Sequence, residues 1–332
     1  MDKIEIYIDE LLEKSTPDRP IWNIEKILQG LKSTWNYIDG CMIKAILEMY
    51  AITKDEKYFR FADNFIDCKV REDGSIEGYS VEELNIDNVN AGKTLFELYD
   101  LTGKEKYRKA IDLVYSQIEQ MPRTAEGNFW HKNIYPNQVW LDGLYMCQPF
   151  YMEYETRFHE KKNYDDIFRQ FFNVVEHMRD PKTGLYYHAY DSSREMFWCD
   201  KVTGLSQNFW LRALGWYSMA LLDTLDKADA SVGEPYERLK KVFVDLMDAM
   251  LKYQDASGMW YQVVNFGGME KNYLETSGSS IMAYALLKGV RLGFLPENYQ
   301  TYGAKAFHGI CEKYLSEDAD GSLHLDGICL VA

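Results

Sequence analysis

YPNQVWLDGLYMCQPF, residues Tyr135 to Phe150, decides how the rest of the chain is read. An acid, Asp142, stands directly before a glycine at the start of an apolar helical run. Trp140, Tyr145, Phe150 and Tyr151 crowd around it in the sequence. A carboxyl group walled by aromatic rings loses water, and lost water disfavours the charged form. The stretch therefore predicts an Asp142 with a raised pKa, suited to general-acid work. The simpler reading is an N-cap, with the Asp142 carboxylate accepting from a free backbone N–H of the helix.

Outward from this stretch the same pattern recurs. Apolar helices, each with a glycine near its start, run from Asp39 (DGCMIKAILEMYAI), Asp87 (DNVNAGKTLFELYDL), Trp140, Asn208 (NFWLRALGWYSMALLDTL) and Thr276 (TSGSSIMAYALLKGVRLGFL). The glycines are Gly40, Gly92, Gly143, Gly215 and Gly278. Glycine costs about 1 kcal/mol inside a helix, so these positions point to close packing or to room for a ligand. Amphipathic units alternate with the apolar helices, each opening on a charged turn and a tyrosine: Tyr58, Tyr107, Tyr164, Tyr236 and Tyr299. A repeat of this length is the mark of a stacked architecture. Nearly all-apolar helices belong inside and amphipathic ones outside. The expected fold is all-α, an (α/α)6 barrel: a toroid of helical hairpins with inner and outer rings, in a single catalytic domain over residues 1–332.

The connecting turns, such as GNFWHKNIYPN and GLYYHAYDSS, are aromatic and polar, admit short strands, and are expected to ring one mouth of the barrel. ADASVGEP (228–235) reads as a surface loop within the toroid. Six hairpins close such a ring, but only five apolar helices can be counted. The sixth should follow the last amphipathic unit, where the sequence reads DGICLVA. Either that helix is missing or the ring closes differently.

Composition narrows the function classes. The net charge of −15 argues against nucleic acid and anionic membranes as partners. Eight Trp, 25 Tyr and 16 Phe exceed what a core of 332 residues needs, and the surplus fits stacking on the apolar faces of sugars. The N-terminal MDKIEIYIDELLEKS is an acidic amphipathic helix without the basic region or cleavage site of a signal peptide. No stretch has the length of a membrane span. The six cysteines are scattered, with neither C-x-x-C nor zinc spacing, and are read as reduced thiols of a cytoplasmic protein. The six histidines include no H-E-x-x-H; neither a metal nor a cofactor is expected.

Reactive groups gather at equivalent points of the repeats: Asn85-Ile86-Asp87-Asn88, Trp140-Leu141-Asp142-Gly143, Tyr187-His188, and Trp210-Leu211-Arg212 with Gly215-Trp216. His131 lies on the turn leading to Asp142. Asp87 and Asp142 are one repeat apart and are expected at the same mouth, where two carboxylates can divide acid and base roles. Asp87 also has an N-cap reading, and His131 and His188 can be structural histidines. Arg212 sits among Phe209, Trp210, Leu214 and Trp216. A guanidinium there needs a partner, either an inner acid or the carboxylate of an acidic ligand held bidentately.

WLDGLYM, the two acids, YYH before an aspartate, and WLRALGW together resemble the unsaturated rhamnogalacturonyl hydrolases of glycoside hydrolase family 105. The resemblance extends over essentially the whole chain. It implies hydration of a vinyl ether in a pectin-derived disaccharide whose 4,5-unsaturated galacturonyl residue is joined to rhamnose. By the match, Asp142 is the general acid/base and Asp87 the second acid. His188 and Arg212 hold the uronate, Trp210 and Trp216 stack on the rings, and His131, Trp140 and Tyr37 complete the pocket. The related unsaturated glucuronyl hydrolases share the toroid and both acids, so a glycosaminoglycan-type substrate is the close alternative. A non-catalytic sugar-binding toroid is the distant one.

Overall fold

The computed structural model describes residues 2–330 of the chain, which form two compact units. Of these, the first comprises residues 2–122 and 132–134, and the second comprises residues 123–131 and 135–330.

In the first unit the elements are α1 (Asp2–Glu13), α2 (Ile24–Gln29), α3 (Tyr37–Thr53), α4 (Glu56–Asp67), α5 (Lys93–Thr102) and α6 (Glu105–Gln120). The apolar helix expected from Asp87 is split. Residues Ile86–Gly92 form a 3₁₀ turn, and only the second half is α-helical, as α5. Asn85 starts the turn by accepting from the Asp87 N–H at 3.1 Å, so Asn85, not Asp87, is its cap. Gly40 lets α3 approach this turn closely: a Cβ there would lie 2.6 Å from the Ala91 Cα.

The second unit contains β1 (Gln138–Trp140), α7 (Leu141–Phe158), α8 (Tyr164–Met178), β2 (Ala189–Asp191), α9 (Leu211–Lys227), α10 (Glu234–Leu251), α11 (Thr276–Arg291), α12 (Tyr299–Tyr314), β3 (Leu315–Glu317) and β4 (Leu323–Leu325). Helices α7, α9 and α11 are the apolar ones and pack side by side. In α7, residues 143–153 are all buried. The amphipathic α10 buries Tyr236, Leu239, Phe243, Leu246, Met247 and Met250, the three- and four-residue spacing of a single helix face. Each such side chain contributes about 1.5–3 kcal/mol. Gly215 faces Ile281, and Gly278 abuts Leu211, so these glycines serve helix contact.

Three of the five tyrosines that open the amphipathic units join successive outer helices. Tyr58 donates to Asp9 at 3.0 Å, Tyr107 donates to Asp63 at 2.6 Å, and Tyr299 donates to Asp248. The loop expected at 228–235 contains a short 3₁₀ turn, Ala230–Val232. Among the described residues no helix follows α12. The chain instead forms the β3–β4 hairpin and returns to the start of α11, where the Thr276 N–H donates to the Gly327 carbonyl at 2.9 Å. No helix among the described residues is long and apolar enough to cross a membrane.

Candidate active site

The site in the second unit is built by backbone pairing between successive turns. β1 and β2 are antiparallel, with Gln138 opposite Asp191 and Trp140 opposite Ala189. One step further the Leu141 N–H donates to the His188 carbonyl at 3.0 Å. The first residues of α7 are thereby fastened beside His188. The same rung recurs at the next apolar helix, where Trp210 bridges Val263 and the Leu211 N–H donates to the Gln262 carbonyl at 2.9 Å. It recurs again at α11 through Thr276 and Gly327.

This pairing brings Asp142 Oδ2 to 2.9 Å from His188 Nε2, with both side chains largely buried. Asp142 is not the helix cap. Trp140 occupies that position without a side-chain cap bond. The expected raised pKa of Asp142 is also overturned. Burial does push the carboxyl up, but the charge and hydrogen bond of His188, with the charge of His131, outweigh it and hold Asp142 below the ordinary carboxylate range. Its place in the first turn of α7 acts in the same direction. In the free protein the balance therefore favours the carboxylate form of Asp142.

The rings around this pair are ordered by one another. Trp140 lies parallel to His131 at 4.6 Å and to Tyr135 at 5.3 Å, and meets the His188 ring edge-on at 5.5 Å. The Trp140 indole N–H donates to Gln138 Oε1 at 3.1 Å. His131 is buried, and its backbone N–H donates to the Gln138 carbonyl at 2.8 Å. On its other neighbour, the His188 ring lies 4.9 Å from Trp210, over which the Arg212 guanidinium rests at 4.5 Å. Trp210 is thus shared by the acid–imidazole pair and the arginine. Trp216 stacks on Tyr145 at 5.1 Å.

Among the described residues Arg212 has no acidic partner. It donates through Nη1 to the Cys329 carbonyl, so the expected salt bridge to an inner acid is corrected: a neutral backbone oxygen takes that place. Nearby, burial together with the Cys329 thiol and Glu275 pushes the Tyr273 hydroxyl up to about 12, against the opposing charge of Arg212.

The remaining two expected residues belong to the first unit. Asp87 Oδ2 forms an ion pair with Lys132 Nζ at 2.7 Å, and Asn85 bridges Lys132 across the backbone. Tyr37 is the first residue of α3 and is half-buried.

Residues not anticipated are Lys132, Tyr135, Gln138, Gln262, Tyr273, Glu275 and Cys329. Lys132 and Tyr135 stood in the same aromatic turn as His131, so a basic and an aromatic residue there were visible signals. Glu275 and Cys329 act through backbone groups and leave no mark in a side-chain pattern.

The model of Glycosyl Hydrolase Family 88 matches residues 13–332. A glycoside hydrolase from family 105 of C. acetobutylicum ATCC 824 is 46% identical, with a TM-score of 0.87 over 92% of this chain and 86% of that one. The unsaturated rhamnogalacturonyl hydrolase YesR of Bacillus subtilis (strain 168) is 27% identical over 294 residues, covering 87% of this chain and 79% of YesR. The unsaturated glucuronyl hydrolase of Bacillus sp. GL1 shares the fold, with a TM-score of 0.66 and 13% identity over 88% of this chain and 78% of that one. The fold class is the all-α (α/α)6 barrel of these enzymes.

Proposed function

The chain belongs to Glycosyl Hydrolase Family 88 and is a glycoside hydrolase, and on that premise we propose that it removes a 4,5-unsaturated galacturonyl residue from rhamnose in pectin-derived disaccharides. The observation that carries this reading is the Asp142–His188–Trp210–Arg212 array. It sets the imidazole that holds the Asp142 carboxylate, and a guanidinium that has no carboxylate partner among the described residues, against one indole ring.

The uronate carboxylate pairs with Arg212, and the sugar ring lies beside the Trp210 and Trp216 indoles. Entry of this anion expels water near Asp142 and adds negative charge. Both changes raise the Asp142 pKa, so the carboxyl takes up a proton when substrate is bound. Asp142 then donates that proton to C4 of the double bond, and positive charge develops at C5 and the ring oxygen. The Asp142 carboxylate next accepts a proton from the water that adds at C5. The product is a hemiketal, which opens to the C5 ketone and leaves a hemiacetal at C1; the hemiacetal collapses to the aldehyde, breaking the C1–O bond and releasing rhamnose. No covalent bond to the enzyme forms, in contrast to the usual retaining pathway. His188 holds the Asp142 carboxylate in place, and His131 supports it through its charge. Asp87 and Tyr37 are proposed as substrate contacts on the family resemblance alone, with residues 1–332 serving as one catalytic domain. A cytoplasmic setting accords with six cysteines, none of them in a disulfide.

Unsaturated galacturonyl-rhamnose and an unsaturated chondroitin disaccharide, compared at equal concentration, test the substrate class. Faster loss of the double bond in the first supports the reading, and faster loss in the second replaces it with a glucuronyl hydrolase.

A further inference from the structure

Glu275 stands immediately before α11 and has no exposed surface. Its carboxylate accepts from the Ser277 N–H at 3.0 Å, the Ser277 hydroxyl at 2.7 Å and the Gly278 N–H at 2.7 Å. These bonds cap the helix and would account for a buried acid on their own. A further donor does not belong to the cap: the Cys329 N–H reaches Glu275 Oε1 at 3.0 Å from a segment 54 residues away. The Cys329 carbonyl in turn accepts from Arg212 Nη1. The Cys329 thiol accepts from Gln262 Nε2 at 3.2 Å. Thr276 holds the same segment through its N–H to the Gly327 carbonyl and its hydroxyl to the Asp326 carbonyl at 2.6 Å.

We propose that Glu275 is a positioning residue for Arg212, acting through the backbone of Cys329, and so sets the preference of the site for a free uronate. This rests on the reading that Arg212 takes the substrate carboxylate. The physical case is a matter of orientation. A guanidinium presents five N–H donors in a rigid fork, and bidentate recognition requires the fork to be aimed before the ligand arrives. Among the described residues, the Trp210 ring and the Cys329 carbonyl are contacts that can aim Arg212. The indole fixes the plane of the guanidinium but leaves rotation within that plane. The Cys329 carbonyl stops that rotation and occupies one donor, leaving others for the ligand. The carbonyl is itself aimed because Glu275 holds the backbone N–H of the same residue. The start of α11 and the start of α9 are thus joined through a single residue, Cys329.

The test compares unsaturated galacturonyl-rhamnose as the free acid and as its C6 methyl ester, reading kcat and KM for each. Cys329→Pro removes the N–H that Glu275 accepts but keeps the helix cap. Glu275→Gln replaces one carboxylate oxygen with a donor. Cys329→Ala keeps the backbone bonds and serves as a control. Melting temperature identifies which variants fold, and either Cys329→Pro or Glu275→Gln suffices to decide. The expected result is a free-acid-to-ester preference in kcat/KM reduced about tenfold, the scale of one charge-assisted hydrogen bond, and carried by KM for the acid. Cys329→Ala keeps the wild-type ratio. Arg212→Met must reduce the ratio further. If it does not, the Arg212 reading fails and the positioning role falls with it. If Arg212→Met reduces the ratio but the folded Cys329→Pro or Glu275→Gln protein keeps it, or loses both substrates equally, the Arg212 reading stands and the positioning role is overturned.

Discussion

At Asp142 two influences oppose each other, and their balance decides its working state. Burial favours the neutral acid, whereas His188 and His131 favour the carboxylate and prevail. Replacing His188 by Gln leaves the burial and removes the nearest charge. The Asp142 carboxyl is then expected to titrate at higher pH than in the wild type, read by carboxyl-carbon NMR with Asp142→Asn identifying the resonance. An unchanged titration would show that His188 does not control it. The same balance fixes a sign for stability. A carboxyl whose pKa is lowered by folding contributes stability above its unfolded value, and that contribution is lost as pH falls through the lowered value. Below about pH 4, the ordinary range of the carboxyl, the wild type should therefore lose stability more steeply than His188→Gln. Asp142 stood out in the sequence because an acid before a glycine among aromatics is chemically unusual. The direction of its pKa was not, because His188 lies 46 residues away and only the β1–β2 pairing brings it within 2.9 Å.

Among the elements, the short β1–β2 ladder does the positioning, and its far end is secured by Asp191. This buried carboxylate accepts from the Ser193 N–H and hydroxyl and from the Glu195 and Met196 N–H groups. Burial alone would raise its pKa, but these donors lower it on balance. Asp191→Ala leaves several of them unpaired and should cost on the order of 2–3 kcal/mol, measured by urea unfolding. The loss should shrink as pH falls below the carboxylate range, where the wild type also forfeits the interaction. At α3, Gly40→Ala places a methyl group against the Ala91 backbone. It should cost about 1–3 kcal/mol by overpacking; a neutral result would show that the 3₁₀ turn gives way. The aromatic turns announced short strands without revealing which residues pair, since a three-residue strand is too short for an alternating pattern. The split of the Asp87 helix into a 3₁₀ turn and α5 was likewise hidden, because its apolar spacing serves both conformations.

For the molecule as a whole, the repeating tyrosines and alternating helix types carried the fold class, since each hairpin repeats the same physical solution. The contacts of residues 326–330 with α11 and Arg212 had no such precedent within the chain and were not legible. Charge is also a whole-molecule property. A chain of net charge −15 repels an anionic disaccharide at long range, whereas the proposed pairing with Arg212 acts at short range. Salt screens the first more than the second, over a length of about 10 Å at 0.1 M. The kcat/KM for the free uronate should rise between low and moderate ionic strength, and that for the methyl ester should stay flat. A fall for the free acid would mean that long-range attraction dominates. The most direct measurement of the central claim is the ultraviolet absorbance of the conjugated double bond when the purified protein meets unsaturated galacturonyl-rhamnose. The absorbance is predicted to decay with the wild type, and the rate to fall by at least about 10²-fold in a folded Asp142→Asn variant. A wild-type rate in Asp142→Asn, or no decay with the folded wild-type protein, would contradict it.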